Sequence, residues 1–127
     1  MERNIVESPD APAPMGGYAQ AVLVEGARRT LYVSGQIPAD RAGSVPDDFR
    51  GQARLAWANL ESQLVAAGMS LDNLVKVTVF LADRAHRMEN REVRQEVLGD
   101  RKVAMTVVIA GIFDEAWLLE IEGIACD

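Results

Sequence analysis

Residues 52–83, QARLAWANLESQLVAAGMSLDNLVKVTVFLAD, decide the fold class. In their first part the apolar residues Ala53, Ala56, Trp57, Leu60 and Leu64, with Phe49 one turn earlier, recur at steps of three and four, the period of one helix face. Asp47 or Asp48 offers an N-cap oxygen, and Gly68 offers the left-handed stop that ends many helices, so the pattern predicts a helix over 47–67. Residues 74–83, LVKVTVFLAD, then change character. They are β-branched or apolar on both faces, as in a strand near the middle of a sheet.

Downstream, residues 87–99, RMENREVRQEVLG, return to a helical period. Met88, Val93, Val97 and Leu98 form a narrow apolar stripe that Gly99 ends. Two strands close the chain, VAMTVVIA at 103–110 and AWLLEIEGIA at 116–125. Upstream, residues 21–38, AVLVEGARRTLYVSGQIP, read as an antiparallel hairpin turning at Glu25-Gly26-Ala27 and stopped by Ser34-Gly35. A further short strand is expected at 4–7, and Pro9, Pro12, Pro14, Gly16 and Gly17 mark a surface loop.

This order predicts an α+β sandwich in one domain, 1–127, with a mixed, mostly antiparallel sheet and two helices on one face. The other face would be bare. Along the last strand Leu118, Glu120, Glu122 and Ile124 share one side, and Leu119, Ile121 and Ala125 the other. Both sides are partly apolar, which predicts a homo-oligomer.

The totals exclude several functions. A net charge of −6 repels phosphate backbones and argues against nucleic-acid binding. A single cysteine, Cys126, permits neither an intrachain disulfide nor a cysteine metal cluster, and a reducing, cytoplasmic setting is expected. His86 has no second histidine and is expected in solvent. The first residues lack an apolar signal core, and no apolar run has the length of a membrane span, so no membrane partner is expected.

Several segments together carry a resemblance: GGYAQAV at 16–22, LYVSGQIP at 31–38, the 52–83 stretch, NREVRQEVLG at 90–99 and LLEIEGIA at 118–125. In order and spacing the chain resembles the reactive intermediate deaminase (Rid, or YjgF, endoribonuclease L-PSP-like) family over nearly its whole length. The resemblance implies a chorismate-mutase-like fold, a homotrimer, and three small-molecule clefts between subunits. It also implies hydrolysis of 2-imino acids to 2-oxo acids and ammonia, without metal or cofactor.

Carried over by position, the site would comprise Tyr18, Ser34, Gly35 and Glu120, the last as the catalytic acid or base. The family pattern has an arginine at the start of the penultimate strand, which binds the substrate carboxylate. Met105 stands there, and Val107 stands where many members carry cysteine.

Residues 103, 105, 107 and 109 share a strand face and read Val, Met, Val, Ile, an apolar strip that would line the cleft opposite Glu120. An arginine fork makes two charge-assisted hydrogen bonds, each contributing about 1.5–3 kcal/mol, that methionine cannot replace. Arg101 has the parity of Met105, but four residues of strand is roughly 13 Å, which reaches only the cleft mouth.

The plainer roles are packing for Tyr18 and Met105, a strand-ending turn for Ser34-Gly35, and a solvated face for Glu122. The expected function is an imine or enamine hydrolase of altered specificity, of a subgroup without the site arginine. The alternatives are a small-ligand-binding trimer without turnover and, against the charge, an endoribonuclease.

Overall fold

Leu74–Leu81 is the strand on which the others assemble: Leu74, Val77, Val79 and Leu81 are fully buried, and Lys76, Thr78 and Phe80 are only half so. A computed structural model describes residues 1–127. Its elements are β1 (Glu2–Val6), β2 (Ala21–Glu25), β3 (Thr30–Gln36), α1 (Phe49–Ala66), β4 (Leu74–Leu81), α2 (Arg87–Leu98), β5 (Ala104–Ile109) and β6 (Leu119–Cys126). The main sheet has the order β3-β6-β4-β5. β6 runs antiparallel to both β3 and β4, and β5 runs parallel to β4. A parallel pair needs a crossover connection, and α2 supplies it.

Both helices lie on the face that carries Val77, Val79, Leu119, Ile121 and Ala125, and these residues form one core with Trp57, Leu60 and Leu64 of α1. Asp48 caps α1 by accepting the Gly51 amide, and Gly68, at φ 73°, follows its end. The α1 layer comes close to β6 at Gly123. A Cβ there would stand 3.1 Å from a Leu74 methyl and 3.4 Å from one of Leu60.

Gln52, buried on α1, donates to the carbonyls of Pro46 and Ala116 and accepts the Leu118 amide, which fixes the entry of β6. Three ion pairs then join the exposed sides of the two helices, Arg50 with Glu89 and Glu92, and Arg54 with Glu96.

The expected 21–38 hairpin does not form. β2 pairs with β1, and β3 pairs with β6. The amides of Arg28 and Arg29 donate to the Asp127 carbonyl, and the Arg29 guanidinium binds the Asp127 carboxylate. Asp127, just beyond β6, therefore holds residues 28–29.

In α2 the expected stripe holds at Val93, Val97 and Leu98, which pack on the core, and fails at one residue. Met88 is exposed, and Asn90 and Arg94 are buried beside Val93 and Leu98. Residue 86 also departs from expectation: the His86 ring stacks on Phe49 with centroids 4.6 Å apart and lies half-buried near Glu89.

Leu60→Ala removes a fully buried side chain that neighbouring backbone cannot refill, and should cost about 2–5 kcal/mol of unfolding free energy in denaturant titration. Val65→Ala, on the exposed side of the same helix, should stay within about 0.5 kcal/mol of the parent.

Candidate functional site

Strand register divides the expected site residues into two groups. Val77 stands opposite Met105 and Val79 opposite Val107, while Phe80 stands opposite Glu120 and Val79 opposite Ile121. Residues opposite one another in a ladder share a face. Met105 and Val107 are thus on the helix side, and Glu120 is on the open side. Within one chain the apolar strip and Glu120 do not face each other, a relation that the sequence left open.

The first group gathers at the outer edge of β5. The Ala19 amide donates to the Val103 carbonyl at 2.9 Å and Ala19 pairs with Ala104, so the Gly16–Gln20 segment runs alongside β5. This brings Tyr18 to Met105. The Tyr18 hydroxyl accepts the Met15 amide at 3.2 Å, which holds the loop over a narrow crevice. Gly17, Tyr18, Arg94, Leu98, Val103 and Met105 line it. Farther along β5, Val107 and Ile109 are 42% and 38% exposed, beyond the cover of α2.

Arg94 is the residue that the sequence reading did not single out. It is only 8% exposed, and its Nη1 lies 3.6 Å from the Met105 sulfur. Burial, and then the neighbouring Arg91, hold its pKa below the ordinary arginine value, with Tyr18 acting in the opposite sense. A signal for it was present: position 94 lies four residues after Asn90 and four before Leu98, in the buried stripe of the helix.

The second group lies on the open face. β3 and β6 lose register between Val33 and Gln36, and Ser34 and Gly35 occupy that irregularity. A Cβ on Gly35 would overlap the Glu120 carboxylate, so the missing side chain is what lets the carboxylate rest against the β3 backbone. Ser34 is exposed, and its carbonyl accepts from the Gln36 side chain at 3.0 Å.

Glu120 also borders a shallow depression with Phe80, Ile112, Phe113 and Glu122. Phe113 is 95% exposed at its rim. Cys126 is buried at the end of β6, with its sulfur 3.7 Å from the Thr30 hydroxyl, away from both groups. No three His, Cys, Asp or Glu side chains converge to hold a metal ion, and no helix is long and apolar enough to cross a membrane.

Gly35→Ala should leave the thermal midpoint nearly unchanged, because the atoms that must yield belong to the flexible Glu120 side chain. A crystal structure of the variant should show the Glu120 carboxylate swung off β3. A carboxylate still resting at residue 35 would refute this assignment of the close contact.

Comparison with known proteins agrees with this architecture. Residues 8–127 match the family model described as endoribonuclease L-PSP. A "RutC family protein" of Pyrococcus horikoshii is 36% identical over 125 residues, covering 97% of each chain. The "2-iminobutanoate/2-iminopropanoate deaminase" of Rattus norvegicus is 46% identical over 83 residues, which cover 64% of this chain and 58% of that protein. Among solved structures, Escherichia coli TdcF with bound serine superposes with a TM-score of 0.74 at 31% identity, covering 98% of each chain. With two helices on one side of a mixed sheet and these relatives over almost its full length, the chain belongs to the endoribonuclease L-PSP, or Rid/YjgF, family.

Proposed function

We propose that the protein is a homotrimeric hydrolase of a small imine or enamine, acting in clefts where the Tyr18–Met105 edge of one copy meets the Glu120 face of the next. The observation that carries this reading is the Glu120 carboxylate seated against the bare Gly35 backbone, in a chain with a named imine deaminase among its relatives. The placement of the two residue groups on opposite sheet faces supports a cleft made by two copies. So do Tyr32, Ile124 and Phe80, which leave apolar surface on the open face; Tyr32 alone is 75% exposed.

The chemistry needs one positioned acid-base group. Glu120 takes a proton from water as the water oxygen bonds to the imine carbon, giving a tetrahedral aminol. That proton passes from Glu120 to the imine nitrogen, the aminol hydroxyl then gives its own proton through Glu120 to the same nitrogen as the C–N bond breaks, and the carbonyl product and ammonia leave. Imine plus water thus gives carbonyl plus ammonia, with no redox change. Ser34 and Gly35 would hold an oxygen of the ligand, and Tyr18 would cover it.

Met105 sets the specificity. Without an arginine fork on β5, the carboxylate of a 2-imino acid loses its strand-side partner, and the favoured substrate differs from 2-iminopropanoate and 2-iminobutanoate. The same substitution favours, as a second reading, a trimer that binds a ligand without turnover. RNA cleavage is opposed by the net charge of −6.

Ammonia release should be measured from freshly generated 2-iminopropanoate and 2-iminobutanoate beside a panel of imines that differ in the position of the charged group. Turnover should be fastest on another member of the panel, and Glu120→Gln should lower it about 100-fold or more. Fastest turnover on the two standard imino acids would overturn the specificity reading. Full activity in Glu120→Gln would overturn the role of Glu120.

A further inference from the structure

Arg94 has no part in the hydrolysis assigned to Glu120, Ser34 and Tyr18, yet it is almost wholly buried. A buried charge is ordinarily paired, because taking a guanidinium out of water without a counter-charge is unfavourable. None of the six ion pairs in the protein includes Arg94 or its neighbour Arg91. The one side-chain contact that engages the Arg94 guanidinium as a donor is to the Met105 sulfur, a weak acceptor.

Other arginines of the two helices are treated differently. Arg50 and Arg54, on the exposed side, are matched by Glu89, Glu92 and Glu96. The acidic residues of α2 therefore serve the outer side, and two of its three unpaired arginines, Arg91 and Arg94, turn to the Gly16–Tyr18 loop. A Cβ on Gly16 would stand 3.5 Å from Arg94 Nη2 and 3.7 Å from Arg91 Nη2. Two guanidinium groups thus converge on a loop segment without a side chain, next to the crevice lined by Tyr18 and Met105.

We infer that Arg94, assisted by Arg91, is the anion-binding group of this site, so that the carboxylate of the substrate is met from helix α2 and not from strand β5. The inference rests on the proposed function for the word substrate, but anion binding itself does not require turnover.

The distances support such a transfer. The Met105 sulfur is the third atom of its side chain, where an arginine at 105 would have Cδ, and Arg94 Nη1 lies 3.6 Å from it. A guanidinium is therefore delivered next to the position that the family pattern fills from the strand, with a different line of approach. Methionine suits the exchange twice. It removes the like charge that a second arginine would place against Arg94, and its flexible thioether can move aside for a ligand. The substrate class that fits is an imine bearing a carboxylate, with the separation between carboxylate and imine carbon set by the helix-side cation.

The test uses the full-length protein, with 2-oxobutanoate as the anionic probe and its methyl ester as the uncharged one. Binding is followed by the Met105 methyl resonance in 13C-methyl-methionine protein, assigned with Met105→Leu, and by thermal shift. Saturable movement of that resonance is expected with 2-oxobutanoate and not with the ester. Arg94→Met should lower the affinity at least tenfold, while its thermal midpoint without anion equals or exceeds that of the parent, since an unpaired buried charge has been replaced by an apolar chain of similar length. Arg94→Lys, which keeps the charge without the fork, should fall between.

Equal affinity in the parent and Arg94→Met, or no saturable shift in the parent, would overturn the inference. So would a much lower thermal midpoint in Arg94→Met with anion binding retained, which is the signature of a purely structural arginine. A protein that binds 2-oxobutanoate through Arg94 but releases no ammonia from any imine would retain this site and lose the proposed hydrolysis. Hydrolysis of uncharged imines without anion binding would do the reverse.

Discussion

The constraint on which the structure depends is the position of β4, hydrogen-bonded on one side to β6 and on the other to parallel β5. Every residue of those two strands takes its face from its β4 partner. Val77 and Val79 bring Met105, Val107 and Ile121 to the helix layer, and Phe80 brings Glu120 to the open side. A slip of one residue in either ladder would exchange core and surface along a whole strand. The fully buried Val77, Val79, Leu81, Leu119 and Ile121 oppose such a slip.

That division also separates charge. The Tyr18–Met105 edge carries Arg91 and Arg94, and the open face carries Glu120 and Glu122. Groups that would act on one small molecule are held apart by the thickness of the sheet in a single chain. In the proposed assembly a second copy would lay its open face against the β5 edge of the first, bringing them together and covering the apolar surface around Tyr32 and Val107, which is exposed in the single chain. On this account, assembly and the site are one requirement.

Much of this was legible in the residues themselves. The period of α1, its Asp48 cap and the two-sided apolar run of β4 are local signals that tertiary structure left unchanged. The relation of Glu120 to Met105 was not local. It depends on two registers through β4, which no pattern within 103–110 or 116–125 contains. The hairpin expectation failed because β2 and β3 each take a partner distant in sequence or lying before the expected turn, β1 and β6, while the Asp127 carbonyl accepts the amides at 28 and 29. Arg94 was hidden in a helix whose charges otherwise face solvent. Its place in the buried stripe shows only once Asn90, Val93 and Leu98 are known to point inward.

The most direct test of the central claim, that the site is built by joining opposite sheet faces of separate copies, is sedimentation equilibrium of the full-length protein at micromolar concentration. The account requires a species of three times the 13.8 kDa chain mass, persisting on dilution through that range. A stable 13.8 kDa monomer would leave Glu120 and Arg94 on opposite sides of one sheet and would contradict it.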